Sequence, residues 1–388
     1  MATCIIGWAH TPFGRHEDET VETLIRRVSR EALADAGMTG DDVDGVFVGL
    51  YNNGFSRQDF PSSLPLQEIP ELRYKPATRI ENACATGSAA LHGAINWIEA
   101  GRGRVALVVG AEKMTARSGK EIGEILLTAS YVDEEGAIEG GFAGVFGEIA
   151  KAYFQRHGDQ SEALARIAAK NHRNGVDNPY AQLRKDLGFE FCNTVSDKNP
   201  YVAQPLRRTD CSLVSDGAAA LVIADVETGL AADKAIAFRS TAHVNDFLPL
   251  SKRDRTQFGG AERAWQDALS RARLSIDDLS LVETHDCFTI AELMEYEAMG
   301  LAKPGEGHRV IEEGVTEKDG RLPVNPSGGL KAKGHPIGAT GVSMHALAAM
   351  QLTGTAGGMQ ISGAELAGVF NMGGSSVANY VSVLERIK

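Results

Sequence analysis

The chain has 388 residues, 43% hydrophobic and 23% charged, the balance of a globular protein with a large buried core and roughly two to three domains. A formal net charge of -12 excludes a polyanionic partner such as nucleic acid, which needs concentrated Lys and Arg. No apolar run approaches the roughly 18 residues of a membrane-spanning helix, so a membrane role is excluded as well. The chain opens on an apolar strand without a basic leader and closes on Leu-Glu-Arg-Ile-Lys388, so a cytoplasmic location is expected. Five cysteines without a CxxC pair suit a reducing compartment and argue against a zinc site.

Taken in chain order, the predicted elements repeat. Glu31-Ala-Leu-Ala-Asp-Ala-Gly-Met-Thr-Gly-Asp-Asp-Val43 leads into the strand Gly45-Val-Phe-Val-Gly49, and Asp267-Ala-Leu-Ser-Arg-Ala-Arg-Leu-Ser-Ile-Asp-Asp-Leu279 leads into Leu281-Val-Glu-Thr284. Both read as helix, Asp-Asp turn, strand. Cys84-Ala-Thr-Gly87 opens an Ala-rich helix ending near Trp97, and Gly338-Ala-Thr-Gly341 opens another ending near Met350. A β-like run follows each, from Val105 and from Ala367, and each half closes on one more strand, from Ala218 and from Ser376. Strands alternating with helices predict an α/β protein with a mostly parallel sheet occurring twice, in two similar halves that break near Gly229 to Lys234.

Residues 115–204 have no counterpart in the second half and exceed a normal connection. They predict an inserted subdomain with its own helices, one of them amphipathic from Ala143 to Gln155, covering the site. The expected organisation is therefore 1–114 with 205–230 as an N-terminal half, 115–204 as the insert, and 231–388 as a C-terminal half.

Cys84 lies among small residues at the expected start of a helix, whose partial positive charge would lower the thiol pKa and enrich the nucleophilic thiolate. A lone cysteine is more often a buried structural one. Three motifs after predicted strands of the second half change that balance: His285-Asp-Cys-Phe288, Gly334-His-Pro336 and Asn371-Met-Gly-Gly374. His335, held between Gly and Pro near a helix N-terminus, is placed as a general base or oxyanion donor, and Cys287 sets a second thiol beside His285. Asp216 and Asp286 are expected to cap loops and form ion pairs. Cys4, Cys192 and Cys211 are read as structural.

These motifs, with Asn82-Ala-Cys84 and Pro205-Leu-Arg through Ser215-Asp-Gly-Ala-Ala-Ala220, resemble the thiolases over essentially the whole chain. The match is to the sterol-carrier-protein type, with His285-Asp-Cys-Phe in place of Asn-Glu-Ala-Phe and Asn371 in place of the usual cysteine, so that the acid/base thiol has moved to Cys287. The resemblance implies a thiolase-like fold: two βαβαβαββ-type halves in an α-β-α-β-α layering with an inserted loop subdomain. It implies a CoA-dependent acyltransferase that cleaves 3-ketoacyl-CoA, or runs the reverse Claisen condensation, through acyl-Cys84. His335 would activate Cys84, His285 and His335 would hold the enolate oxygen, Cys287 would move the proton, and the amides of Cys84 and Gly373 would hold the tetrahedral oxyanion. Ser212 is implied as a pantetheine neighbour. His172, Arg184, Lys185, Arg207 and Arg208 are basic candidates for the CoA phosphates. No metal or organic cofactor is expected beyond CoA as substrate. A homodimer or homotetramer is implied, and the need for an accessory protein stays open. The alternatives are a ketosynthase-like acyltransferase, a retro-aldol lyase in which Cys84 is dispensable, and a non-catalytic scaffold that binds CoA esters.

Overall fold

The computed structural model describes residues 3–388. Eleven strands occur in chain order: β1 (Thr3–His10), β2 (Gly45–Gly49), β3 (Ala77–Ile80), β4 (Val105–Glu112), β5 (Tyr201–Ala203), β6 (Leu206–Arg207), β7 (Gly217–Asp225), β8 (Ile236–Asn245), β9 (Leu281–Glu283), β10 (Leu366–Gly373) and β11 (Ala378–Arg386). Nine of them form one sheet in the order β3-β2-β4-β7-β1-β8-β11-β10-β9, while β5 and β6 pair separately.

The sequence repeat is visible in the order of the strands. β4-β7-β1 and β10-β11-β8 are matching antiparallel runs, flanked by the parallel neighbours β2 and β9. β3 pairs parallel with β2, and its counterpart beside β9 shrinks to a single parallel bridge between Val282 and Val324. The sheet is therefore mixed, not mostly parallel. β11 returns beside β10 as a hairpin, and β7 and β11 are buried on both faces, so they carry the continuous apolar signature that a parallel strand also shows. The two halves also share one sheet, because β1 and β8 pair through Cys4 with Ala237 and Ile5 with Ile236.

The repeated Asp-Asp turns are built alike. Thr39 N–H and hydroxyl both donate to Asp42, at 2.8 and 2.9 Å, and Ser275 does the same to Asp278, at 2.6 and 2.8 Å. Each turn passes the chain from an outer helix, Val21–Asp35 or Gly259–Ala272, to the next strand. Val21, Leu24, Ile25, Val28 and Ala32 give the first helix one apolar stripe against β1, β4 and β7. The helix Ile337–Leu352 is buried at every position, because it lies with Thr86–Glu99 in the central layer and contacts strands of both halves.

Those two central helices cross at their first turns, and glycine permits the crossing. A Cβ on Gly87 would lie 2.8 Å from Val342 N and 2.9 Å from Gly338 O, and one on Gly341 would collide with Ser88 N. The glycines are the last residues of the repeated Cys84-Ala-Thr-Gly87 and Gly338-Ala-Thr-Gly341.

Between β4 and β5 stand the helices Gly119–Leu127, Val132–Glu135, Gly141–His157, Ser161–Gly175 and Phe189–Asn193. Among the described residues no helix is long and apolar enough to cross a membrane.

Gly87→Ala and Gly341→Ala are expected to lower stability by about 1–3 kcal/mol or more, because each forces a methyl against backbone. Gly123→Ala, in open space on the helix Gly119–Leu127, should instead raise it by roughly 0.5–1 kcal/mol. Urea unfolding midpoints of the three variants check this contrast.

Candidate active site

Cys84 sits on the turn that joins β3 to the helix Thr86–Glu99. Ala83 takes a left-handed backbone with φ 49°, which turns the chain sharply enough to present the thiol. Thr86 holds the turn closed: its hydroxyl accepts from Asn82 N–H at 2.9 Å and donates to the Ala83 carbonyl at 2.6 Å. Asn82 donates onward to the Tyr380 hydroxyl at 2.8 Å.

His335 comes from the opposite half, on the turn before the helix Ile337–Leu352. Its backbone N–H donates to Ser215 Oγ at 3.1 Å, and its Nδ1 lies 2.7 Å from Thr340 Oγ1. The Thr340 hydroxyl has the Pro336 carbonyl as acceptor at 3.0 Å. With its proton so committed, Thr340 accepts from Nδ1–H, which leaves a lone pair on Nε2. That Nε2 is buried without a partner among the described residues. Thr86 and Thr340 occupy the same place in the repeated motif, one shaping the turn of Cys84 and the other setting the tautomer of His335.

His285 and Cys287 follow β9. The His285 ring stands 5.0 Å from that of His335, nearly perpendicular at 82°. Asn371 Nδ2 donates to the Cys84 carbonyl at 3.1 Å and lies 2.8 Å from His285 Nδ1. A carbonyl can only accept, so the amide NH2 faces both groups, and His285 Nδ1 is the acceptor. Its proton is on Nε2, which is buried and free to donate. The reactive atoms of Cys84, His285 and His335 lie within 4.8 Å of one another. Cys287 and Cys84 line one cavity of about 150 Å³ with Met114, Leu126, Phe142 and Phe288, and Ser212 is on its wall.

The insert fixes the loop that carries His285 and Cys287. Phe146 stacks on Phe288 at 4.4 Å. Asn171 donates to Asp286 at 2.8 Å and to Glu292 at 2.6 Å, and Lys170 pairs with Glu292 at 2.7 Å with both side chains fully buried. Asp286 caps the turn before His335 by accepting from Leu330 N–H at 2.6 Å and Lys331 N–H at 3.1 Å. Asp216 pairs with Lys113 at 2.6 Å and accepts from Met114 and Thr115 N–H, each at 2.8 Å. Both aspartates thus serve the loops, as the sequence suggested.

Burial dominates the electrostatics. It pushes the Cys84 thiol up to about 12, against the Gly374 and Cys84 amides, which favour the thiolate. The expectation that the helix N-terminus would lower this pKa is corrected, because desolvating a thiolate costs more than those donors return. The amide that favours the resting thiolate is that of Gly374, next to the Gly373 expected for the oxyanion. Burial, then Lys333, pushes His335 down to about 3. Burial, then His335 and Lys333, holds His285 well below the usual imidazole value. Burial, then Cys84, Glu295 and Asp286, holds Cys287 well above the usual thiol value. At neutral pH the site contains two thiols and two neutral imidazoles.

The basic candidates separate. Arg207 is 3% exposed and spends its guanidinium on Asp210 at 2.8 Å, Asn193 at 3.1 Å and the Ser161 carbonyl at 2.7 Å, so it is unavailable to a phosphate. Arg184 and Lys185 are exposed, and Arg184 is tied to the Val176 carbonyl at 3.1 Å. His172 is buried and Arg208 exposed, and both border a second cavity. Sequence reasoning missed the roles of Asn371, Thr340 and Asn171. The Thr86/Thr340 repeat was the available signal for one of them; for Asn171, on a helix without a counterpart, none existed.

Cysteine with two histidines is also a donor set that zinc uses. The geometry does not suit it. A metal-bound histidine donates its other N–H to an acceptor, whereas His285 Nδ1 faces the donor Asn371 and its Nε2 holds the proton.

Comparison with known proteins gives the family. Residues 3–227 match the family model described as the thiolase N-terminal domain, and residues 242–386 that described as thiolase C-terminal domain-like. The chain is 35% identical to an acetyl-CoA acetyltransferase of Methanothermobacter thermautotrophicus, covering 98% of this chain and 99% of the relative. It is 31% identical to sterol carrier protein 2 of Homo sapiens, over 95% of this chain and 69% of that protein. Among solved structures it is similar to the Ltp2-ChsH2(DUF35) aldolase, with a TM-score of 0.83, 20% identity, and coverage of 99% and 97%. The chain belongs to the thiolase family and, within it, to the sterol-carrier-protein type.

Because the resting thiol is neutral, alkylation of Cys84 by iodoacetamide should rise with pH and show no plateau between roughly pH 6 and 9. Peptide mass spectrometry follows it. A plateau in that window would mean a resting thiolate–imidazolium pair.

Proposed function

We propose that this chain is a CoA-dependent thiolase, an acetyl-CoA C-acyltransferase that cleaves 3-ketoacyl-CoA through an acyl-Cys84 intermediate, or runs the same steps backwards as a Claisen condensation. The observation that carries this reading is the convergence of Cys84, His285 and His335 within 4.8 Å, with Cys287 on the same cavity. The full-length likeness to an acetyl-CoA acetyltransferase supports it.

His335 Nε2 takes the Cys84 proton as the sulfur attacks the 3-keto carbon. The alkoxide meets the backbone N–H groups of Cys84 and Gly374. As the bond between C2 and C3 breaks, its electron pair becomes an acetyl-CoA enolate, whose oxygen accepts from His285 Nε2–H. The Cys287 thiol, kept protonated by burial, delivers its proton to C2, and acetyl-CoA leaves. The Cys287 thiolate then takes the proton of the incoming CoA thiol. CoA sulfur attacks acyl-Cys84, and the released Cys84 thiolate recovers its proton from His335, so the protons balance over the cycle.

Ser212 on the cavity wall supports a pantetheine path along residues 212–214. β3, at the edge of the sheet, supports assembly with a second copy, and the free cysteines support work in the cytoplasm.

The test is thiolysis of acetoacetyl-CoA by wild type, Cys84→Ala and Cys287→Ala, beside exchange of labelled CoA into acetyl-CoA. Cys84→Ala should abolish both reactions. Cys287→Ala should lower thiolysis about 10²–10⁴-fold, the usual contribution of a positioned acid, and impair exchange less, since exchange breaks no carbon–carbon bond. Full activity of Cys84→Ala would instead favour the retro-aldol or scaffold alternatives.

A further inference from the structure

A row of residues crosses three neighbouring strands and ends on the turn of Cys84. β8, β11 and β10 set His243, Tyr380 and Asn371 opposite one another in register, and residues so opposed share one face of a sheet. Asn371 donates to the Cys84 carbonyl at 3.1 Å, and the Tyr380 hydroxyl accepts from Asn82 Nδ2 at 2.8 Å. The two neighbours therefore hold both ends of the segment Asn82-Ala-Cys84.

Tyr380 is itself held on two sides. The His243 ring lies flat on it at 4.0 Å and 8°, and the His92 ring stands perpendicular to it at 4.9 Å and 86°. Hydrogen bonds fix His92 in turn. His345 Nδ1 lies 2.7 Å from the Gly341 carbonyl, which can only accept, so His345 Nε2 takes the Ser382 proton at 2.9 Å. With that proton spent, Ser382 Oγ accepts from His92 Nε2–H at 3.2 Å. Tyr380, His92, Ser382 and His345 are all buried, so the phenol is fixed before it meets Asn82.

The turn needs such a hold. Ala83 keeps a left-handed backbone, which a residue with a Cβ adopts only under restraint. Glu81, Asn82 and Ala83 also border a cavity of about 200 Å³, so packing does not press the turn into place from that side. Tyr380 does not line the reaction cavity, and its reach to the chemistry is through Asn82 alone.

We propose that Tyr380 is a positioning residue for acyl transfer, which through Asn82 keeps the turn of Cys84 in the orientation that presents the thiol to the substrate. The proposal deepens the thiolase reading, because it takes Cys84 as the acyl carrier. His285 and Cys287 stand on a different loop, so the effect belongs to the steps at Cys84.

Tyr380→Phe removes only the hydroxyl, and Asn82→Ala removes the same bond from its other end. Each is expected to slow thiolysis of acetoacetyl-CoA and exchange of labelled CoA into acetyl-CoA alike, by about three- to tenfold in kcat, the worth of one hydrogen bond. KM should stay within about twofold, since the bond orients the reacting group and does not bind substrate. Alkylation of Cys84 by iodoacetamide should move the opposite way, about threefold faster or more, because a released turn opens the thiol to a small reagent. The double variant should lose no more than either single one, as both remove one interaction. Rates within about twofold of wild type in both single variants, a loss confined to thiolysis, slower alkylation, or losses that add in the double variant would overturn the proposal. Absence of both reactions in wild type would count against the thiolase reading, while alkylation of the three variants would still decide whether Tyr380 holds the turn.

Discussion

The meeting of Cys84 and His335 depends on how closely two helix N-termini approach. Gly87 and Gly341 let the helices Thr86–Glu99 and Ile337–Leu352 cross backbone to backbone. That contact brings Cys84 from one half and His335 from the other towards a common point. A duplicated motif gives this result without further invention, since both copies place a threonine just before the glycine. Thr86 uses its hydroxyl to close the turn of Cys84, and Thr340 uses the same hydroxyl to orient His335. The third side, the loop of His285 and Cys287, is carried by β9 and pinned by the insert through Phe146, Lys170 and Asn171.

Such a dry site changes what activation means. A thiol pushed up to about 12 and an imidazole pushed down to about 3 do not form a resting ion pair. The site instead stores complementary neutral groups: a lone pair on His335, an N–H on His285 and a proton on Cys287. In the proposed reaction charge appears only as substrate reacts, and the amides of Cys84 and Gly374 and the His285 N–H are the donors proposed to meet it. Asn371 connects the parts, with one amide group touching both the nucleophile's backbone and the donor histidine. In this chain the position resembling the usual second cysteine has become an orienting residue, while the thiol sits on the neighbouring loop.

The sequence made the repeat legible, and with it the strand–helix order, the two Asp-Asp turns and the helices that cross. Strand direction was not legible, because β7 and β11 are buried on both faces and read alike whichever way they run. Cys84, His285, Cys287 and His335 could be picked out because each lies in a short motif after a strand. Their ionisation could not, since the cost of burial depends on what the insert and the opposite half place around them. Arg207 failed as a phosphate candidate for the same reason: a guanidinium three residues before an aspartate reads as a surface charge until folding buries the pair. Asn171 and Tyr380 carry no motif, and their significance comes only from the groups they face.

The central claim is a division of labour in which Cys84 alone carries the acyl group and Cys287 only moves a proton. It is tested most directly by incubating the protein with acetyl-CoA, quenching with acid, and locating the acetyl group by peptide mass spectrometry. The account predicts acetyl on the peptide of Cys84, none on that of Cys287, and removal of the label by added CoA. Acetyl on Cys287, or a label on Cys84 that CoA cannot remove, would contradict it.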